Sequence, residues 1–244
     1  MATFVQTNVG LYWGAYSLAS SFNAVGVNLG NQIQDDTVYG DTFVSHDGGL
    51  SSVSLEGEGY WNSTTDGVLI ADSGISATET LVTVTPVDQA AGSPALFTNL
   101  QQSEYSPFST GTVGEMLAFR VSGEGRGDKV VHGEILVTPG TTRTSSGTSA
   151  VNNLGAVSAT QSIFSALHVI TVAGSSPTLD VVVKSDSGSG FSSPTSQITH
   201  TQATAITSEM KSKAGAVTDA YWRVDFTIGG SSPQFDFICS LGII

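Results

Sequence analysis

Apolar and polar residues alternate with period two over much of the chain, the spacing of strands that bury one face. In 220–228, Trp222, Val224, Phe226 and Ile228 fall on one side while Tyr221, Arg223, Asp225 and Thr227 fall on the other. In 234–241 the inward set is Phe235, Phe237, Cys239 and Leu241, which makes Cys239 an inert core thiol. Leu179, Val181 and Val183 mark a third strand, and the nearly continuous apolar run 162–172 marks a fourth that suits a central position. Four such strands in about ninety residues predict a β-sandwich over 151–244. Upstream, the pattern predicts strands at 52–61, 80–87, 115–124 and 129–138, shorter ones near Tyr12 and at 23–29, and one short helix within 61–71. The expected fold class is mainly β: a barrel or sandwich domain with one short helix over 1–137, a linker over 138–150, and a second β-sandwich domain over 151–244.

Three stretches lie outside this alternation. Residues 138–149, Thr-Pro-Gly-Thr-Thr-Arg-Thr-Ser-Ser-Gly-Thr-Ser, are small and polar with nothing to bury, which predicts the linker. The sequence Gly174-Ser175-Ser176-Pro177 recurs as Gly230-Ser231-Ser232-Pro233, each copy followed by an alternating run, and is expected to be a turn that opens a strand. Residues 30–49 form a long polar connection that carries Asp35, Asp36, Asp41 and Asp47 beside Val38, Tyr39 and Phe43. Connections of this length usually have a use, and those apolar groups are better covered than left wet.

Charge sharpens the picture. The 244 residues hold 8 basic and 21 acidic side chains, a net charge of −13, and residues 1–119 contain no Lys or Arg. That sign excludes tight nucleic-acid binding through phosphates. A single cysteine excludes an intramolecular disulfide framework and a Cys-rich zinc site. No basic leader and no apolar run long enough for a bilayer is apparent, so the expectation is a soluble protein made in a cytoplasm, without a membrane partner.

Motifs of chemistry are sparse. His46, His132, His168 and His200 lie far apart in sequence, and no nucleophile elbow, phosphate-cradling loop or His-Glu-x-x-His pair occurs. No enzymatic activity, catalytic residue, cofactor or metal is expected. Asp35, Asp36 and Asp41 match no calcium loop spacing, and Asp186 in Ser185-Asp186-Ser187-Gly188 reads as a turn. Arg126-Gly127-Asp128 lies between two strand patterns and reads as a hairpin turn. Glu56 and Glu58, two apart on one strand, share a face about 7 Å apart, but they lack a basic or aromatic neighbour to separate their pKa values, so they read as a charged, wet face.

The run Thr37-Val38-Tyr39-Gly40-Asp41-Thr42, then Gly49-Leu50 and the strand to Glu56-Gly57-Glu58-Gly59-Tyr60-Trp61, resembles the major tail tube proteins of long-tailed bacteriophages. The stretch Glu104-Tyr105-Ser106-Pro107 with Val113-Gly114-Glu115 is similar too, so the resemblance covers most of 1–137. Residues 151–244 resemble a β-sandwich module found in phage virion proteins.

The resemblance implies a structural protein of the virion tail whose copies close into rings, sixfold favoured over threefold, and stack into a tube. Its implied partners are its own copies, a tape measure protein and a tail terminator. DNA would pass without specific binding, and the second module would decorate the outside. Within that frame, Asp35, Asp36, Val38, Tyr39, Asp41 and Phe43 belong to the ring-stacking loop, and Glu56 and Glu58 face the lumen. Acidic walls suit such a conduit, since they give a sliding polyanion no partner. The competing reading is a carbohydrate-binding or capsid-decorating β-sandwich protein with Trp13, Tyr60, Trp61 and Trp222 as stacking platforms.

Overall fold

Strand periodicity governs nearly every element of the computed structural model, which describes residues 8–40, 42–73, 78–127 and 129–244. In chain order these are β1 (Gly10–Trp13), β2 (Tyr16–Ser17), β3 (Phe22–Asp35), β4 (His46–Tyr60), α1 (Ser63–Ala71), β5 (Thr80–Thr85), β6 (Pro94–Thr110), β7 (Ala118–Gly125), β8 (Val131–Val137), β9 (Gly147–Thr148), β10 (Asn152–Asn153), β11 (Ser162–Asp186), β12 (Thr195–Thr199), β13 (Thr207–Ala214) and β14 (Tyr221–Ile243). The protein is mainly β, with antiparallel pairing throughout the registers described. The strands expected at 52–61, 80–87, 115–124 and 129–138 and the short helix are all present, with shifted ends. The pattern missed β6, β12 and β13 and the two-residue strands β2, β9 and β10.

The chain divides into two compact units, one of Met1–Ser20, Thr80–Thr98 and Val130–Ile244, the other of Ser21–Glu79 and Asn99–Lys129. This differs from the expected division at 138–150. The physical reason is that β8 is bonded on one side to β14 and on the other to the start of β6, so residues near 131–137 belong with the C-terminal strands.

In the first unit, β11 and β14 run antiparallel along their whole length. The first half of β11 lies between β13 and the second half of β14, and its second half lies between β12 and the first half of β14. The two halves face each other as a sandwich. Ile163, Leu167, Val169, Phe235, Phe237, Cys239 and Leu241 from one layer meet Leu179, Val181, Val183, Trp222, Val224 and Phe226 from the other. Phe226 and Phe237 meet edge to face at 5.4 Å. Tyr12, Ala95, Ile135 and Ile238 form a second cluster, and Leu81, Phe97, Val131 and Ala166 a third, so β1, β5, β6 and β8 also pack on the opposite face of β11 and β14.

The Gly-Ser-Ser-Pro copies do not open strands; they interrupt β11 and β14 opposite one another, where the register shifts. Each copy fits against the other. A Cβ on Gly174 would lie 2.7 Å from the Ser232 carbonyl oxygen, and one on Gly230 would lie 2.7 Å from that of Ser176. Gly174 and Gly230 have φ of 114° and 112°, and Ser176 and Ser232 have φ of 48° and 49°. This local two-fold corner carries both strands from one layer of the sandwich to the other, and only glycine fits its close backbone approach.

Residues 138–149 are likewise not a linker. Arg143 exchanges backbone hydrogen bonds with Phe235 at 2.8 and 2.9 Å, and Ser149 N–H donates to Val224 O at 2.8 Å. The β9 pair Gly147 and Thr148 bonds to Phe226 and Asp225. The Arg143 guanidinium lies 4.9 Å from the Phe237 ring centroid and approaches Asp236 at 3.9 Å. Small polar residues join an edge through backbone bonds, which the side-chain pattern does not display.

The corner yields a stability test. Gly174→Ala places a Cβ against the Ser232 carbonyl at a φ that L residues rarely adopt, and should cost about 3 kcal/mol in urea unfolding. Gly190→Ala, where nothing lies within 4 Å of the added carbon, should change stability by less than about 0.5 kcal/mol.

Candidate functional site

The second unit presents a four-stranded antiparallel sheet in the order β3–β4–β7–β6, and β4 builds its site. Val53, Leu55, Gly57 and Gly59 are buried on one face of β4 while Glu56, Glu58 and Tyr60 are exposed on the other. The two glycines are a steric requirement. A Cβ on Gly57 would lie 2.4 Å from the Phe22 ring, and one on Gly59 would lie 2.0 Å from Ser21 O. Phe22 packs edge to face on Phe119 at 4.9 Å, and Leu69 of α1 is fully buried. The helix starts at an Asn62 cap whose side chain accepts from Thr65 N–H at 2.9 Å and donates to Ser21 Oγ at 2.7 Å. Tyr105 O–H donates to Asp66 at 2.7 Å, and Gln102 Nε2 donates to Leu69 O at 3.0 Å.

The open face follows from the same register. Glu58 pairs across to Arg120, Glu56 to Ser122 and Ser54 to Glu124. Ala24 and Gly26 of β3 lie beside Glu58 and Glu56, and Glu104 of β6 lies beside Ser122. Ala24, Gly26, Glu56, Glu58, Glu104, Arg120 and Ser122 line a groove of about 640 Å³ floored by small side chains. Glu56 and Glu58 therefore share an exposed face opposite Val53 and Leu55, as their spacing predicted. One expectation fails here, because Glu58 has a basic neighbour: Arg120 Nε lies 3.4 Å from its carboxylate. A wall free of Lys and Arg ends at this first basic residue. The face still carries Glu56, Glu58, Glu104 and Glu124 against one guanidinium.

Residues 30–49 are not a loop but mostly a ribbon. β3 and β4 stay paired out to Asp35 and His46. Beyond Ser54, β4 is paired with β3 alone, so the two strands project about 27 Å past β7. The turn between them is closed by Thr37: its N–H donates to Asp35 Oδ1 at 2.9 Å and its hydroxyl accepts from Ser45 N–H at 3.0 Å. The Thr37 bonds hold the Asp35 carboxyl below its usual range. Asp36 N–H donates to Ser45 O at 3.2 Å. Leu29, Ile33, Val38, Tyr39, Phe43, Val44 and Leu50 are all more than two-thirds exposed along this arm, Tyr39 completely. Of the loop residues singled out from the sequence, Asp35, Asp36, Val38, Tyr39 and Phe43 lie together at the tip, and Asp41 lies outside the described residues.

The remaining candidates fall into structural roles. Trp13 and Trp222 are buried and cannot be sugar platforms. Trp222 Nε1 donates to Gly155 O at 2.9 Å. Asp186 accepts from Gly188 and Ser193 N–H, the turn expected there. Arg126 lies 3.7 Å from Glu79 and Gly127 has φ of 111°, a turn, while Asp128 of that tripeptide lies outside the described residues. Among the described residues no three metal-ligating side chains cluster, and no helix is long and apolar enough to cross a membrane.

Separation in sequence concealed two histidine networks in the first unit. His200 Nδ1–H donates to Glu209 at 3.0 Å, and its Nε2 accepts from Ser165 O–H at 2.9 Å, with the Cys239 thiol 3.5 Å from the Ser165 oxygen. Glu209 also accepts from Thr201 N–H and O–H at 2.8 and 2.6 Å. This is the bonding order of a Ser-His-acid triad, but Ser165 is wholly buried, so the array ties β11, β13 and β14 together and meets no substrate. Burial pushes the Cys239 thiol up to about 12, the inert core thiol the sequence predicted. Burial also lowers the His200 pKa. His168 Nδ1–H donates to Gly14 O at 2.6 Å and its Nε2 accepts from Thr83 O–H at 2.7 Å. Burial drives its pKa from 6.5 to about 4.

No family model and no curated protein matches the chain. Among solved structures it is similar to the Dit protein (gp 19.1) of phage SPP1, described as a paradigm of the hub adsorption apparatus in phages infecting Gram-positive hosts. The identity is 9%, with 98% of this chain and 100% of that chain covered, at a TM-score of 0.36. A likeness of that size carries no functional argument.

The buried histidines predict an acid response. Between pH 6.5 and 4 the unfolded chain binds a proton at His168 that the folded chain refuses, so this contribution is whole above pH 6.5. It falls by about 3 kcal/mol by pH 4. His200 acts in the same direction. Urea midpoints measured across this window should fall with pH, and His168→Gln, less stable at pH 7, should show a shallower fall.

Proposed function

We propose that the protein is a structural component of a phage virion, a tail tube subunit whose four-stranded sheet faces a DNA conduit and whose β3–β4 arm joins successive rings. The observation that carries this reading is the arm. An isolated two-stranded ribbon is marginal in water, and this one displays seven large apolar side chains that a monomer leaves wet. The edge points the same way: among the described strands β3 is bonded to β4 alone, and it carries no charge or proline before Asp35. Natural sheets guard edges that are not meant to pair, so this edge suits a neighbouring copy in a ring.

The groove face fits a conduit wall. Its one basic side chain among the described residues, Arg120, lies 3.4 Å from Glu58, and Glu56 and Glu104 line the same groove, so a passing phosphate meets mostly carboxylates and small side chains. The sequence resemblance across Thr37 to Trp61 supports the same assignment. Partners under this reading are further copies in rings, sixfold preferred, together with the tape measure and terminator proteins that the resemblance implies. The role is non-enzymatic and localised to the virion tail.

Electron microscopy of the purified protein should display tubes or stacked rings. Tyr39→Asp with Phe43→Asp, both at exposed positions, should leave the unfolding curve within about 0.5 kcal/mol of wild type and abolish tubes. Tubes of normal length from this variant would reject the assignment of the arm.

Glu56→Lys with Glu58→Lys probes the wall separately. Assembly should be normal, while DNA release from triggered particles, followed by dye uptake, should become slower at low salt and recover as salt rises. Release that is unchanged at low salt would place this face outside the conduit.

A further inference from the structure

The arm is not the only exposed apolar surface of the second unit. Where β6 turns into β7, Phe108, Val113, Met116 and Leu117 are 61%, 104%, 67% and 44% exposed. Trp61 joins them: its ring lies 5.7 Å from Phe108 and its backbone N–H donates to Leu117 O at 2.8 Å. The Trp61 indole N–H is shielded from solvent and has no acceptor among the described residues, so it belongs to the floor of this patch rather than to its contact surface.

The place of this patch in the sheet is decisive. β4 begins beside the arm tip at His46 and ends at Tyr60, which pairs with Ala118 directly after the β6–β7 turn. The tip and the patch thus lie at opposite ends of one strand, about 50 Å apart. Each end lacks apolar cover within this unit. Two different surfaces at the two ends of a rod make a head-to-tail contact, which propagates instead of closing on a two-fold axis.

We infer that the patch formed by Trp61, Phe108, Val113, Met116 and Leu117 is the socket that receives the arm tip, Val38, Tyr39, Phe43 and Val44, of a second copy of this chain. The inference rests on the tail tube reading and names the receiving surface that reading lacks. Area argues for this occupant. The four tip side chains offer on the order of 500 Å² of apolar surface, more than half of the ~800 Å² that each partner contributes to a standard protein interface. Charge argues against the other occupants. Arg120, Arg126 and Lys129 are the only basic residues of this unit against many carboxylates, including Asp35, Asp36 and Asp47 beside the tip and Glu115 in the socket turn. Nucleic acid and an anionic membrane are repelled by that balance. The tip is also held in shape by the Thr37 bonds to Asp35 and Ser45, so docking orders little further chain.

The chain suits a cross-linking test, because its one natural cysteine, Cys239, is buried and its thiol is inert. Thr42→Cys and Glu115→Cys place thiols at exposed polar positions of tip and socket without touching the apolar anchors. Treated with a short bis-maleimide after assembly, the double variant should give a ladder of covalent multimers on a denaturing gel, and each single variant should stay monomeric. Dimers from Thr42→Cys alone would mean that tips meet tips and would overturn the socket. A double variant that assembles but yields no ladder would also overturn it while leaving the tube reading standing. A wild-type chain that never assembles would overturn the tube reading and this inference with it. Independently, Met116→Glu should raise the concentration needed for assembly at least tenfold with an unchanged unfolding curve; an unchanged assembly threshold counts against the socket.

Discussion

The register of β4 is the constraint on which the second unit depends. One strand is at once the floor of a small core, the wall of an acidic groove and half of a projecting arm, and the period of two assigns each residue to one of these duties. A slip of a single residue would turn Glu56 and Glu58 against Phe22 and Leu55 to solvent. The alternation Glu56-Gly57-Glu58-Gly59 therefore has two unrelated causes that meet in one segment. Glycine is needed beneath because the Phe22 ring and the Ser21 carbonyl lie where a Cβ would be. Carboxylates are tolerated above because that face is open to water. The Asn62 cap and the Tyr105–Asp66 bond then fix α1 on the covered side, leaving the groove side bare.

The first unit solves a different problem, how two long strands can serve both layers of a sandwich. Its solution is the paired Gly-Ser-Ser-Pro corner. Each copy supplies a glycine for close approach, a serine at positive φ and a proline that has no N–H to lose, and each copy packs on the other. The corner lets Phe226 and Phe237, on one strand, face each other across the core. Two polar chains run inside it, Ser165–His200–Glu209 and Thr83–His168–Gly14, and each fixes a neutral histidine in one tautomer. The first of these has the connectivity of a hydrolytic triad and none of its access. Chemistry at a site needs a path for substrate as well as geometry.

Exposed apolar surface is distributed unequally. Among the described residues the first unit leaves only Tyr16 and Ile206 of its large apolar side chains exposed, each by about two-fifths, whereas the second leaves many bare at both ends of β4. A monomer gains nothing from this arrangement and risks aggregation. Under the proposed tube assembly, neighbouring copies would cover this surface.

What the sequence by itself determined was everything written in the alternation of side chains. The β class, the strands at Trp222–Ile228 and Phe235–Leu241, the core position of Cys239, and the shared open face of Glu56 and Glu58 are all consequences of period and polarity. These properties are local, so they survive without knowledge of the partner strand. What only the tertiary structure decided was pairing through the backbone. The stretch 138–149 looked empty because its contribution to β14 lies in N–H and C=O groups that every residue shares. The ribbon of 30–49 looked like a loop because Gly, Asn and Gln bury no face, although their backbones pair as well as any. Division into units, the neighbour Arg120 beside Glu58, and the meeting of Ser165, His200 and Glu209 across distant positions were invisible for the same reason. Side-chain pattern tells a strand which face is inward, but only the closed hydrogen-bond ladder tells it which strand lies alongside.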